Sequence, residues 1–146
     1  MEVDVQTDIV IERPVPAVAA YAADPSTAPE WYERIDSVEW ISPPPAMVGT
    51  RVAFLARFLG RRLTYTYELV EYVPGERLVM RTAEGPFPME TTYTWSEAGA
   101  TSTHMTLRNR GEPAGFSKFF APFMVPAMRR ANRKDLARVK AILEST

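Results

Sequence analysis

The sequence predicts an α+β domain. A curved antiparallel sheet of seven strands wraps around one long C-terminal helix, with two short helices between the first and second strands. Two observations predict it. Apolar and polar residues alternate along most of the chain up to Asn109, in runs separated by short turns that join only antiparallel neighbours. From Met128 onward the apolar spacing changes to that of a helix. At 146 residues the chain is read as one domain, 1–146, long enough to bury a proper core.

The elements follow in order. Val3, Val5, Thr7, Ile9 and Ile11 share one face of the first strand, and Asp4, Gln6 and Asp8 lie on its wet face. Pro14 and Pro16 end that strand, and Pro16 fits the first turn of a helix over "AVAAYAAD". Asp24-Pro25 stops this helix. Thr27-Ala28-Pro29-Glu30 has capping-box spacing and starts a second short helix carrying Trp31 and Tyr32. Residues 35 to 42 form the second strand. "TRVAFLARFL", "RLTYTYELVEY", "RLVMRT", "METTYTW" and "TSTHMTLRN" continue the sheet, and the Pro-Gly of "VPGE" suits a type II turn. The last helix carries Met128, Ala131, Leu136, Val139, Ile142 and Leu143 on its apolar stripe. Pro122 and Pro126 are expected to break or kink any extension toward Phe116.

Seven strands at ~4.8 Å spacing span over ~30 Å, whereas one helix is ~10–12 Å wide. The sheet must therefore curl around the helix or leave an apolar hollow beside it.

Composition narrows the function classes. The chain has no cysteine, which removes disulfides, cysteine nucleophiles and thiolate zinc sites. The start, "MEVDVQTDIVIE", is acidic and alternating, unlike a signal peptide, and no apolar run approaches a membrane span. A cytoplasmic protein without integral membrane association is expected. The net charge of −1 gives no reason to expect nucleic acid. Charge is unevenly placed: residues 1–116 carry 10 basic and 16 acidic side chains, residues 117–146 carry 7 and 2. The basic face of Arg129, Arg130, Arg133, Lys134, Arg138 and Lys140 reads as a solvated helix face or as a surface for an acidic partner.

The stretches "IVIERPVPAVAAYAADPSTAPEW", "VGTRVAF", "YELVEYVPGERLVMRT" and "PFMVPAMRRANRKDLARVKAILE" resemble the START-like, birch-pollen-allergen-like (SRPBCC) superfamily, and most of all its polyketide cyclase/dehydrase branch. The resemblance implies a helix-grip fold. Across that superfamily it implies lipid carriers, aromatases, cyclases, hormone receptors and chaperone activators alike, because fold alone does not fix function.

Alternation assigns the residues lining the hollow. Val52, Phe54, Ala56 and Phe58 share a face, as do Leu63, Tyr65, Tyr67 and Leu69 on the next strand. Leu78, Met80 and Thr82 follow, then Met89, Thr91, Tyr93 and Trp95, then Met105 and Leu107. Candidate ligand contacts are Trp31, Phe54, Phe58, Tyr65, Tyr67, Met80, Met89, Tyr93 and Met105, with Phe120 and Met124 from the lead-in to the helix. Trp31 is read first as a structural anchor and second as cavity wall. Asn132 lies near the helix stripe and is read as a rim residue bonded to backbone, or else as a polar point inside the hollow. His104, the one histidine, points outward with Thr106 and Arg108. No carboxylate cluster falls on the inward strand faces, so neither a metal site nor another cofactor is expected.

These features favour a protein that binds a small hydrophobic or aromatic molecule, lipid or polyketide-like. The alternative is a cyclase, aromatase or dehydratase using the phenols of Tyr65, Tyr67 and Tyr93 as acids or hydrogen-bond donors. No catalytic residue is assigned, and the lack of an inward acid or base counts against the enzyme. Pairing through an edge strand or the helix would give a homodimer.

Overall fold

The computed structural model describes residues 3–58, 60–84, 88–111 and 121–146; of Phe58, Ala121 and Pro122 it describes the backbone. The described strands are β1 (Val3–Ile11), β2 (Ile35–Trp40), β3 (Arg51–Phe58), β4 (Arg61–Val73), β5 (Arg77–Glu84), β6 (Met89–Gly99) and β7 (Ser102–Gly111). The described helices are α1 (Val15–Ala22), α2 (Ala28–Trp31) and α3 (Ala121–Glu144), with a 3₁₀ turn at Pro25–Thr27. The seven strands form one antiparallel sheet in the order β1-β7-β6-β5-β4-β3-β2, curled into a half-barrel. This is the antiparallel sheet that the alternation predicts, in the helix-grip arrangement that the resemblance implies. β2 to β7 follow one another as a meander, and β1 closes onto β7 from Val3↔Gly111 to Ile11↔Thr103. Irregular register in β4 at Thr66/Tyr67 and Leu69/Glu71 adds local twist, which helps the sheet curl.

Local chemistry explains most boundaries. Pro16 sits in the first turn of α1, where a missing N–H has no partner to lose. Glu76 N–H donates to Val73 O across the Pro74-Gly75 turn, and Gly75 has φ +78°, which suits glycine at the third position of a type II turn.

Two expectations need correction. The capping box at Thr27 does not form. Thr27 already has helical backbone angles, continuing from the 3₁₀ turn, and its hydroxyl makes no cap bond. That hydroxyl donates toward Tyr21 O and Asp24 O instead, and Glu30 accepts from the Tyr21 phenol. The last helix is also longer than expected, running through Pro126 from Ala121. Pro122 falls in the first turn, where no bond is lost. Pro126 removes one backbone bond and leaves the helix continuous.

α3 runs along β1 and is tied to it at the C-terminal end. Glu144 accepts from Glu12 N–H at 2.8 Å, Arg13 donates to Glu144 O at 2.9 Å, and Lys140 donates to Val10 O at 2.9 Å. These bonds orient the helix: its C-terminus lies at the end of β1, and its N-terminal half points toward Val3, Gly111 and Met89. Leu136 and Val139 enter one core with Ile11, Val18, Trp31, Tyr93, Trp95, Met105 and Leu107. The outward face of the sheet carries ion pairs. His104 Nε2 lies 2.7 Å from Asp8 Oδ2, and Arg108 pairs with Asp4 at 2.6 Å, so His104 faces outward as the alternation predicts. Among the described residues, Arg129, Arg130, Arg133 and Lys134 have no carboxylate partner, while Arg138 donates to Glu30 O. No helix among the described residues is long and apolar enough to cross a membrane.

Candidate functional site

The inward face of the sheet is fully buried toward α1 and partly exposed on β3 to β7 at the other end. Toward the α1 end, Ile11, Leu69, Leu78, Trp95 and Met105 are buried. Along the same faces toward the opposite end, Ala56, Leu63, Tyr65, Tyr67, Thr82, Met89 and Asn109 are only partly buried. Period-2 alternation aims all of them inward, while Val3 and Val5, inward on β1 at the same end, are fully buried. Met124, on the N-terminal half of α3, is half-buried.

At the boundary between the two regimes lies a group of phenols. Tyr32 and Tyr93 share a hydrogen bond between their hydroxyls at 2.5 Å, and Trp31 stacks on Tyr32 with centroids 4.0 Å apart. Tyr67 reaches the Thr91 hydroxyl, which donates to Asn109 Oδ1 at 2.9 Å. Tyr65 lies 6.3 Å from Tyr67, and Phe54 packs edge-on to Tyr67 at 5.6 Å. Burial raises the pKa of Tyr32, Tyr67 and Tyr93 well above the usual phenol value, so all three are neutral donors at physiological pH.

α3 contributes two polar side chains to this side of the fold. Asp135 is buried, and its Oδ1 accepts from Glu33 N–H at 3.2 Å, tying the end of α2 to α3. Its charge is felt by both Tyr32 and Tyr93. Burial is the main cause that pushes the Asp135 carboxyl up to about 6, against a partial offset from the Glu33 N–H. Asp135 and Tyr32 also line a surface cleft of about 500 Å³ between α2 and α3, together with Pro29, Glu33, Lys134 and Arg138. One helical turn earlier, Asn132 is 6 % exposed, and its Nδ2 has no hydrogen-bond partner among the described residues. A buried donor left unpaired costs ~1–3 kcal/mol, so native proteins rarely retain one without a use. Asn132 is thus no rim residue bonded to backbone. It is a buried polar side chain on the core-facing side of α3. The indole N–H of Trp95, at the packed end, is also without a partner.

Asp135 makes a direct prediction. Its folded pKa of about 6 exceeds the ordinary 3.8, so the folded protein holds the proton more tightly than the unfolded chain does. Stability is therefore expected to fall as pH rises from 4 to 6 and to stay lower above that. Asp135→Asn keeps an acceptor for Glu33 N–H and removes the charge. Two pKa units correspond to at most ~3 kcal/mol, and water at the cleft reduces this to ~1–2 kcal/mol of expected stabilisation at pH 8. Urea unfolding at pH 4, 5, 6 and 8 checks it; equal pH slopes for variant and wild type would remove Asp135 as the cause.

The structure places most of the candidate contacts around this region. Phe54, Met80, Tyr93 and Met105 are buried inward, and Tyr65, Tyr67, Met89 and Met124 are partly buried. Trp31 is 1 % exposed, and its Nε1 donates to Thr27 Oγ1 at 3.3 Å. Phe120 and the side chain of Phe58 lie outside the described residues. Two residues escaped the sequence reading. Tyr32 follows Trp31 in the chain, and nothing local shows that its partner lies on β6. Asp135 corrects the expectation of no inward acid, which was read from the strand faces alone. The helical spacing 128, 132, 135, 139 puts it on the stripe of Met128 and Val139, and that signal was available. No group of three His, Asp or Glu side chains among the described residues is placed to hold a metal ion.

The fold is a helix-grip domain whose inward face carries aromatic side chains. Residues 2–144 match the model of the family described as polyketide cyclase / dehydrase and lipid transport. The chain belongs to that family. Solved structures of similar fold include the Zhui aromatase/cyclase from Streptomyces sp. R1128, at 17% identity and TM-score 0.83 over 99% of this chain and 94% of that one. TTHA0849 from Thermus thermophilus matches at 19% identity and TM-score 0.83 over 98% and 99%. A START superfamily protein from Mycobacterium smegmatis matches at 11% identity and TM-score 0.73 over 97% and 94%. No curated protein sequence matches the chain.

Proposed function

We propose that the chain binds a small hydrophobic or aromatic molecule between the inward face of the sheet and α3, entering from the open end. The observation that carries this is the gradient along the strands, sealed at Leu69, Trp95 and Met105 and open at Leu63, Tyr65 and Met89. The ligand would meet Tyr65, Tyr67, Met89 and Met124 first, then Phe54, Met80 and Tyr93. Trp31 and Met105 would back the floor, and Phe58 and Phe120 complete the proposed contacts. Apolar walls with a few fixed hydroxyls suit such a ligand, and methionines adapt to irregular shapes. The family's description covers both lipid transport and polyketide chemistry, which fits this ligand class.

Native mass spectrometry of the purified chain tests the reading. A co-purifying small molecule, lost on denaturation and reduced in Tyr65→Ala, is expected. A bare mass for the wild type, together with no uptake of any apolar probe, would count against it.

A second reading has its own support. Asp135, titrating near 6 beside the Tyr32–Tyr93 pair, is an acid held close to working pH next to neutral phenol donors. This suits a cyclase or dehydratase, in which the carboxyl exchanges a proton with a substrate and the phenols bind its carbonyl oxygens. The Zhui structure is that of an aromatase/cyclase. Loss of turnover in both Asp135→Asn and Tyr93→Phe, with binding retained, would favour the enzyme. Retained turnover in both would remove these residues from it.

A further inference from the structure

We propose that the site selects neutral ligands carrying a hydrogen-bond acceptor, such as aryl ketones or quinones, and rejects carboxylate ligands such as free fatty acids. The proposal rests on the ligand-binding reading and narrows its ligand class.

Charge sets one limit on the ligand. Among the described residues Asp135 is the only buried ionisable acid or base of α3 and the sheet, apart from the phenols, and no Lys or Arg is buried. Lys134, Arg130 and Arg133 are exposed on α3, Arg61 is exposed at the rim of the inward face of β4, and the arginines of β5 and β7 pair with carboxylates. A carboxylate drawn inward would shed its water, meet Asp135 and find no buried cation to offset either cost. The charged groups near the acid among the described residues, Glu33, Arg34, Lys134 and Arg138, are exposed.

An unpaired donor sets the other. Asn132 shares the core-facing side of α3 with Leu136 and Val139. It lies three residues nearer the helix N-terminus than Asp135, so ~4.5 Å closer to the open end. Its Nδ2 is buried without an acceptor. A ligand carbonyl fills that vacancy, and a hydrocarbon of the same shape leaves it open. Sites built to hydrogen-bond a ligand discriminate strongly against the analogue lacking that group, because their own polar atom stays unpaired. The Tyr32 and Tyr93 hydroxyls, neutral and mutually bonded, can turn to a second oxygen.

Three probes of matched size test this by titration calorimetry at pH 8: 2-acetylnaphthalene, 2-ethylnaphthalene and 2-naphthoate. The wild type is expected to bind the ketone at least ~10-fold tighter than the hydrocarbon and at least ~30-fold tighter than the carboxylate. Asn132→Leu is expected to abolish the ketone's advantage over the hydrocarbon. Asp135→Asn is expected to raise naphthoate affinity relative to the ketone several-fold. Naphthoate bound as tightly as the ketone by the wild type would overturn the proposal and leave ligand binding intact. So would equal losses of ketone and hydrocarbon in Asn132→Leu, which would mark a structural defect. If none of the probes binds, the ligand-binding reading fails and this one falls with it.

Discussion

Trp31→Ala is expected to cost ~3–5 kcal/mol of folding stability, the range for removing a large buried aromatic. Trp31 is 1 % exposed and stacks on Tyr32 at 4.0 Å, with Tyr93 at 5.7 Å. Its Nε1 donates to the Thr27 hydroxyl, which is itself bonded to Asp24 O and Tyr21 O. One side chain therefore joins the 3₁₀ turn, α2 and the centre of β6. The cavity left by alanine cannot collapse easily, because the four residues of α2 are fixed at both ends, by Thr27 and by Asp135 accepting from Glu33. Trp31→Phe keeps part of the stacking and is expected to lose about half as much. Urea denaturation with constant slope checks both. A loss below ~1 kcal/mol for the alanine variant would mean that Trp31 lines empty space instead of anchoring the core.

Ala56→Trp is expected to have the second large effect, this time on binding. Ala56 points inward near the end of β3, opposite Leu63, and is only partly buried. An indole there stands in the proposed entrance without displacing the packed core at Val52 and Leu69. Affinity for 2-acetylnaphthalene should fall by at least ~30-fold, about 2 kcal/mol. The melting temperature should move by no more than ~4 °C, as for a substitution outside the core. The reverse pattern, unchanged binding with a large loss of stability, would place the ligand elsewhere.

The two variants divide the molecule as its sequence does only in part. The strands and their faces were legible because a period of two is unambiguous where one face is buried. Val3, Val5 and Ile11 read inward and are buried, and His104 and Arg108 read outward and bear ion pairs. The short helical connection was legible from its prolines, but its bonding was not. Thr27 looks like a cap by spacing, yet a preceding 3₁₀ turn had already set its backbone, freeing its hydroxyl for Trp31. The extent of α3 was hidden by Pro126, whose penalty the helix absorbs.

The site was harder to read than the fold. Apolar lining residues follow from alternation, but no local pattern encodes the bond between Tyr32 and Tyr93 of β6 or that between Glu33 and Asp135 of α3. Asp135 was masked by its neighbours: between Lys134 and Arg138 an aspartate looks like part of a charged surface. Its position on the stripe of Met128, Asn132 and Val139 matters more than its polarity. The same stripe explains why Asn132 is buried, and a buried amide with an unpaired donor is a signal that only coordinates reveal.

The most direct test of the account is where a ligand lands. Backbone and methyl NMR spectra recorded during titration with 2-acetylnaphthalene are expected to shift at Ala56, Leu63, Tyr65, Tyr67, Met89 and Asn132, with smaller changes at Leu69 and Met105. Shifts confined to the outward face around His104 and Arg108, or to the exposed cations of α3, would contradict it.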